Sequence, residues 1–96
     1  MDRIPTHPGA ILREDVLPNL QMPVSRAAKS LGVSRQTLHK ILAEKAPVTP
    51  EMAVRLGKFC GNGPDVWLAM QANYDLALAK VKLAEELKRI PTAKAA

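Results

Sequence analysis

Apolar residues recur at helical spacing along most of the chain, in segments that prolines and glycines separate. In no segment do apolar and polar residues alternate strictly, as they do in a strand with one buried face. The pattern therefore predicts an all-α domain of five helices joined by short loops. We expect these helices to cover residues 7–17, 23–31, 34–44, 50–60 and 64–88.

The expected helix ends follow from residues that cap or interrupt a helix. Pro18 is expected to end the first helix, because proline lacks the N–H that a helix interior uses. Ser34 and Thr49 are placed to cap the third and fourth helices through their hydroxyl groups. Pro50 suits the first turn of the fourth helix, and Pro91 forbids continuation of the fifth.

The second and third predicted helices meet at Gly32, where a residue without a β-carbon can adopt the conformation of a tight turn. Each helix has one apolar stripe to bury. The stripe before the turn comprises Val24, Ala27, Ala28 and Leu31, and the stripe after it comprises Val33, Leu38, Ile41 and Leu42. This arrangement predicts a helix-turn-helix motif over residues 24–45, which indicates binding to duplex DNA.

The outer face of the third predicted helix is rich in hydrogen-bond donors. It carries Arg35, Gln36, Thr37, His39 and Lys40, and it has no aspartate or glutamate among them. Such side chains suit base edges and phosphates. The alternative is an ordinary small helical bundle, which also presents a charged face to water.

Length and net charge limit the number of domains and the kind of binding partner. A chain of 96 residues, 47% of them hydrophobic, can build the core of one domain. Its formal net charge of +5 favours an anionic partner, although ribosomal and membrane-surface proteins are also basic. One Phe, one Trp and one Tyr are too few for a stacking platform that binds single-stranded nucleic acid. Duplex DNA read by a helix requires no such platform.

The sequence contains no pattern that indicates catalysis or metal binding. It has no glycine-rich phosphate loop and no nucleophile beside a plausible base, so we expect neither an enzyme nor a cofactor. Cys60 is the one cysteine, and His7 and His39 lack metal-ligand spacing to it. Neither a signal-peptide-like run nor a span of about 18 apolar residues is present. We therefore expect a soluble, cytoplasmic protein without a metal site.

The fifth predicted helix has more apolar residues than one stripe can hold. One line of them includes Trp67, Met70 and Tyr74, and another includes Leu76, Leu83 and Leu87. The first line can serve the domain's own core, and the second is expected to meet a second copy of the chain. The alternative is a helix covered on both sides within its own domain. We expect the domain to span residues 7–90, between an arm of residues 1–6 and a flexible tail of residues 91–96.

Four blocks of sequence stand out beyond the helix pattern. They are residues 7–14 (HPGAILRE), 33–38 (VSRQTL), 48–56 (VTPEMAVRL) and 65–76 (DVWLAMQANYDL). In this order they resemble the HigA-type antitoxins of the Xre/Cro-like (lambda-repressor-like) helix-turn-helix group. The resemblance covers about residues 5–82.

The chain departs from the family pattern at three places. Ala10 stands where an acid is usual, Pro23 where a polar residue is usual, and Ala43 and Glu44 where an Asn-Gly pair is usual. Without that glycine, the third helix lacks a residue that readily adopts the left-handed conformation in which many helices end. We therefore expect it to run one turn further toward Pro47.

The resemblance implies a small repressor that binds the promoter of its own operon as a homodimer and neutralises a RelE-like, mRNA-cleaving toxin. Two alternatives remain. The chain could be a stand-alone Xre-family transcriptional regulator without a toxin, or a protein-interaction adaptor that has lost DNA binding. The cationic residues on the outer face of the third helix argue against the adaptor.

Specific DNA contacts can be assigned from side-chain chemistry. Base contacts are expected from Arg35 and Gln36, and from Thr37, His39 and Lys40 where they reach bases rather than flanking phosphates. Phosphate contacts fix the position of the protein along the duplex without reading its sequence. They are expected from Arg26, Lys29, Ser34 and Lys45.

Overall fold

The computed structural model describes residues 4–94, and every regular element in that range is helical. The elements are α1 (Pro8–Ile11), a π-helical segment (Leu12–Val16), α2 (Leu17–Leu20), α3 (Val24–Leu31), α4 (Arg35–Leu42), α5 (Pro50–Cys60), α6 (Pro64–Lys82) and α7 (Ala84–Leu87). The predicted all-α fold is therefore confirmed. Residues 1–3 of the expected arm and residues 95–96 of the expected tail lie outside the described residues.

The first predicted helix does not end at Pro18, so that prediction is wrong. α1, the π-helical segment and α2 follow one another without a break and end at Gln21, which has a left-handed φ of 50°. The N–H of Leu17 bonds to the carbonyl of Leu12, five residues earlier, and Pro18 then falls in the first turn of α2. A proline in a first turn needs no N–H partner, and the wider π turn interrupts the regular ladder just before it.

The helix-turn-helix is formed as predicted by α3, the turn at Gly32 and α4. Gly32 has a φ of 73°, which is left-handed, and Ser34 caps α4 by accepting the Thr37 N–H at 3.0 Å. The expected extra turn of α4 is wrong, because the helix ends at Leu42. Glu44 adopts the left-handed conformation that ends the helix, with a φ of 62°, although it is not a glycine. The Lys45 N–H donates to the Lys40 carbonyl at 2.8 Å.

The last two predicted helices are confirmed at their starts. Thr49 caps α5 by accepting the Met52 N–H at 3.2 Å, and α6 begins at Pro64. The expectation of one helix to residue 88 is wrong, because Leu83 (φ −98°, ψ 8°) interrupts it between α6 and α7. Every described residue from 78 onward is exposed, so no packing holds this end of the helix straight.

The core lies where α3, α4 and α5 meet the first helix and the start of α6. Its most enclosed large side chains are those of Leu12, Leu38, Leu56 and Trp67, each at most 2% exposed. Ala27 and Ala28 are buried, and their small side chains allow neighbouring helices to approach α3 closely. This packing leaves the outer faces of α3 and α4 free to meet another molecule.

Candidate nucleic-acid interface

The outer face of α4 carries all five side chains that the sequence predicts to contact bases. Arg35, Gln36, Thr37, His39 and Lys40 are exposed, whereas Leu38, Ile41 and Leu42 of the same helix are buried. Gln36 and Lys40 lie one helical turn apart at the centre of the exposed face. The structure therefore brings these five residues together on one solvent-facing surface.

The hydroxyl groups of Ser34 and Thr37 are joined at the start of α4. Ser34 Oγ accepts the Thr37 N–H at 3.0 Å and lies within hydrogen-bond distance, 2.8 Å, of Thr37 Oγ1. The cap and the contact between the two hydroxyl groups together hold the first turn of α4.

The residues predicted to contact phosphates lie around α4. Arg26 and Lys29 are exposed and lie three residues apart on α3, and Lys45 is exposed just beyond the end of α4. Ion pairs within residues 4–94 involve other cations, namely Arg13, Arg55 and Lys88. The charges of Arg26, Lys29 and Lys45 are therefore not neutralised by an acidic side chain among the described residues.

The residues predicted to form a dimer lie on the projecting part of α6 and α7. Leu76, Leu83 and Leu87 are 54%, 42% and 49% exposed. The spacing of seven residues puts Leu76 and Leu83 on one side of α6, and Leu87 lies on α7 beyond the interruption at Leu83. The described residues leave this side open to water. A large exposed apolar stripe of this kind is typical of an interface.

Sequence reasoning missed Arg55, which holds the turn of the motif. Its Nη1 donates to the carbonyl of Leu31 at 2.9 Å and to that of Gly32 at 3.4 Å, and its Nη2 donates to Glu51 at 3.1 Å. The spacing of Glu51 and Arg55 at i and i+4 is visible in the sequence and indicates the ion pair. Nothing local indicates the contact with the turn.

Arg13 was also missed, and it lies at the other end of the recognition helix. Its Nη1 donates to the carbonyl of Leu42, the last residue of α4, at 2.6 Å and to Glu44 at 3.3 Å. A second nitrogen of the same guanidinium lies 3.4 Å from Glu14. Arg13 belongs to the π-helical segment, so the first helix reaches the motif through an unusual turn.

Two buried polar residues connect α6 to the segments that lie before and after the motif. Gln71 Oε1 accepts the Val48 N–H at 2.7 Å, and Gln71 Nε2 donates to Asp75 at 3.0 Å. His7 Nδ1 accepts the Gly9 N–H at 2.8 Å, and its ring meets that of Tyr74 edge to face with centroids 4.9 Å apart. Both side chains are structural, since their polar groups satisfy buried backbone N–H groups.

The described residues contain no group of three or more His, Cys, Asp or Glu arranged to hold a metal ion. Burial raises the pKa of the Cys60 thiol above its ordinary value by disfavouring the thiolate. Within residues 4–94, no helix is both long enough and apolar enough to cross a membrane.

Comparisons with known proteins identify this architecture. A family described as helix-turn-helix (HTH_3) matches residues 12–67. Virulence-associated protein A' of Dichelobacter nodosus is 36% identical over 85 residues, which cover 88% of this chain and 73% of that protein.

Two solved structures are similar over nearly the whole chain. An addiction module antidote protein of a HigA family from Coxiella burnetii has a TM-score of 0.87 and 32% identity, covering 96% of this chain and 100% of that one. The Pseudomonas aeruginosa antitoxin HigA, solved with the higBA promoter, has a TM-score of 0.87 and 28% identity, covering 95% and 99%. The chain therefore belongs to the helix-turn-helix family HTH_3, and within it to the HigA type of DNA-binding regulators and antitoxins, which are not enzymes.

Proposed function

We propose that this chain is an antitoxin that binds the operator of its own operon as a homodimer, represses that operon and neutralises a RelE-like, mRNA-cleaving toxin. The observation that carries the DNA part is the outer face of α4, where five exposed polar side chains lie together without an acidic residue among them. It is supported by the P. aeruginosa HigA structure, which contains promoter DNA. We expect the protein to act in the cytoplasm.

The base-reading roles follow from the shapes of the side chains on α4. Arg35 can make a bidentate contact with O6 and N7 of guanine, and Gln36 with N6 and N7 of adenine. Each such contact is worth about 1–3 kcal/mol of discrimination against a wrong base. Thr37, His39 and Lys40 would reach further bases or the phosphates beside them. All five are exposed in the structure, so DNA could approach without displacing protein contacts from the core.

Phosphate contacts would come from the surface that flanks α4. Arg26 and Lys29 on α3, together with Lys45 beyond α4, offer three charges that no described acidic side chain neutralises. Ser34 would add a hydroxyl contact to a phosphate while it caps the start of α4 by accepting the Thr37 N–H. Contacts of this kind release counterions and make binding strongly salt-dependent.

A homodimer would place two copies of α4 in successive major grooves on one face of the duplex. Its operator would then be an inverted repeat with half-sites about 34–36 Å apart. The exposed stripe of Leu76, Leu83 and Leu87 supports such a dimer. A single asymmetric footprint would contradict it.

The DNA part is tested by titrating the protein, over a range of salt concentrations, against the duplex upstream of its own gene and a shuffled duplex of equal length. Preference for the upstream duplex is the expected result. Equal and steeply salt-dependent binding to both would overturn the assignment of sequence-specific binding.

The toxin part requires a second measurement. We expect the product of a small neighbouring reading frame to co-purify with this chain and to cleave mRNA only when the chain is absent. If no such partner exists and operator binding is intact, the chain is a stand-alone regulator. If a protein partner binds and operator preference is absent, the chain is an adaptor.

A further inference from the structure

Two arginines outside the helix-turn-helix each donate hydrogen bonds to the end of one of its helices. Arg55 on α5 reaches the carbonyl of Leu31 at 2.9 Å, where α3 ends, and Arg13 on the first helix reaches the carbonyl of Leu42 at 2.6 Å, where α4 ends. The last carbonyls of a helix have no partner within it and carry partial negative charge. A guanidinium is therefore a favourable partner for both ends.

We infer that Arg13 and Arg55 are positioning residues for the recognition helix α4, one through its last residue and the other through the turn that precedes it, and that operator preference depends on them. The inference rests on the function proposed above and adds residues that do not themselves read bases. Arg55 acts at the turn that precedes α4, through the carbonyls of Leu31 and Gly32. Arg13 acts at the opposite end of α4.

Each guanidinium is held in turn by acidic neighbours. Glu51 accepts from Arg55 at 3.1 Å, and Glu44 accepts from Arg13 at 3.3 Å. These ion pairs are partly exposed, so their own contribution to stability is small. Their main effect is to restrict the rotamers of two long side chains, which orients the donors toward the backbone of the motif.

Restraint of α4 by its last residue and by the turn before it matters because α4 has only eight residues. Bidentate contacts with bases require the side chain to be placed within about 0.5 Å and 10–20°. A small rotation of so short a helix would move Arg35 and Gln36 together out of alignment. Phosphate contacts tolerate such a movement better, since they depend mainly on charge.

The space around Gly32 shows how closely Arg55 approaches the turn. A β-carbon at position 32 would lie 2.8 Å from Arg55 Nη1, which is too close for an unstrained contact. The turn therefore needs a glycine both for its left-handed φ and for access of the guanidinium to the two carbonyls.

The test compares Arg55→Met and Arg13→Met with Lys58→Met, a control that removes the same charge from an exposed position on α5. Affinities are measured for the operator and for a shuffled duplex. We expect the ratio of the two affinities to fall by about tenfold or more in both arginine variants, because charge-assisted hydrogen bonds are strong. It should stay unchanged in Lys58→Met.

A purely structural role gives a different result. Partial unfolding removes competent protein and lowers both affinities by the same factor, so the ratio stays constant. A constant ratio in both arginine variants would overturn the inference. A further check uses Glu51→Gln, which should lower the ratio in the wild-type background and have no additional effect in Arg55→Met.

Failure of the proposed function remains distinguishable from failure of this inference. If the unmodified protein does not prefer its operator, the proposed function fails. The positioning role is then judged by amide hydrogen exchange, in which both arginine variants should accelerate exchange in α4 relative to α5. Unchanged exchange in α4 would overturn the positioning role itself.

Discussion

Gly9 lies directly against the carbonyl oxygen of Ile41, so that a β-carbon at position 9 would overlap that oxygen. The first helix and the recognition helix α4 therefore meet backbone to backbone at this point. His7, which caps the same first turn, would also be crowded at 3.0 Å from such a β-carbon. The contact leaves no room for a side chain at position 9, and it leads to a prediction on stability.

We expect Gly9→Ala to lower the free energy of unfolding by about 3 kcal/mol, because the added methyl group forces two backbones apart. Urea denaturation measures the change. Gly61→Ala is the control, since it introduces the same methyl group where nothing lies within 4 Å and only the left-handed φ of 78° is unfavourable. Its cost should be about 1 kcal/mol. Equal costs in the two variants would show that the first helix yields to the added group.

Glycine should be a better replacement for Glu44 than alanine. It has a left-handed φ of 62°, which costs a residue with a side chain about 1 kcal/mol relative to glycine. We therefore expect Glu44→Gly to be more stable than Glu44→Ala by about 1 kcal/mol, since both lose the contact with Arg13 and only glycine relieves the backbone. Thermal denaturation of the two variants checks this. Equal stabilities would contradict the assigned strain.

Arg35→Ala and Lys29→Ala should change DNA binding in different ways. Loss of a base contact at Arg35 should cost about 1–3 kcal/mol on the operator and relax sequence preference. Loss of a phosphate contact at Lys29 should weaken all duplexes alike and reduce the salt slope by about 1. Competition titrations with operator and shuffled duplexes measure both effects. Equal losses on both duplexes from Arg35→Ala would defeat its base-reading role.

Leu76→Glu should convert a dimer to a monomer, because a carboxylate would be buried without a partner in the proposed interface. Sedimentation at micromolar concentration measures the oligomeric state. Val54→Glu is a matched control on α5, where the valine is 60% exposed and belongs to no predicted interface. A monomeric unmodified protein, or a dimeric Leu76→Glu variant, would contradict the assignment of this stripe.

Cys60 should react slowly with alkylating reagents in the folded protein. Burial raises the pKa of its thiol, so less thiolate is present at a given pH than in the unfolded chain. By the same linkage, the stability that the protonated thiol contributes is present below the unfolded pKa and is lost as pH rises through the folded pKa. Mass spectrometry after iodoacetamide treatment, with and without urea, gives the two rates. Equal rates would contradict the assigned burial.

Local signals were sufficient to predict several helix boundaries. Ser34 and Thr49 cap α4 and α5 as expected, because a hydroxyl group satisfies an N–H only three residues away. The exposed face of α4 follows equally well from helical periodicity. Its five polar residues could therefore be assembled from sequence alone.

The errors arise where distant residues or local geometry override these signals. Pro18 continues a helix because a π turn precedes it, and Glu44 adopts a conformation that sequence would assign to glycine. Gln71 and Arg13 act on backbone groups 23 and 29 residues away, which no periodic pattern encodes. Contacts of this kind appear only when the helices have been packed together.

The helix-turn-helix is not a transferable module in this protein. The end of α4 is bonded to Arg13 and the turn between α3 and α4 is bonded to Arg55, and these two arginines lie in sequence before and after residues 24–45. Grafting those residues onto another scaffold would transfer every side chain predicted to meet DNA while leaving both guanidinium groups behind. Exchange of DNA specificity with a relative that lacks these two arginines should therefore require a swapped segment that extends from residue 13 to residue 55.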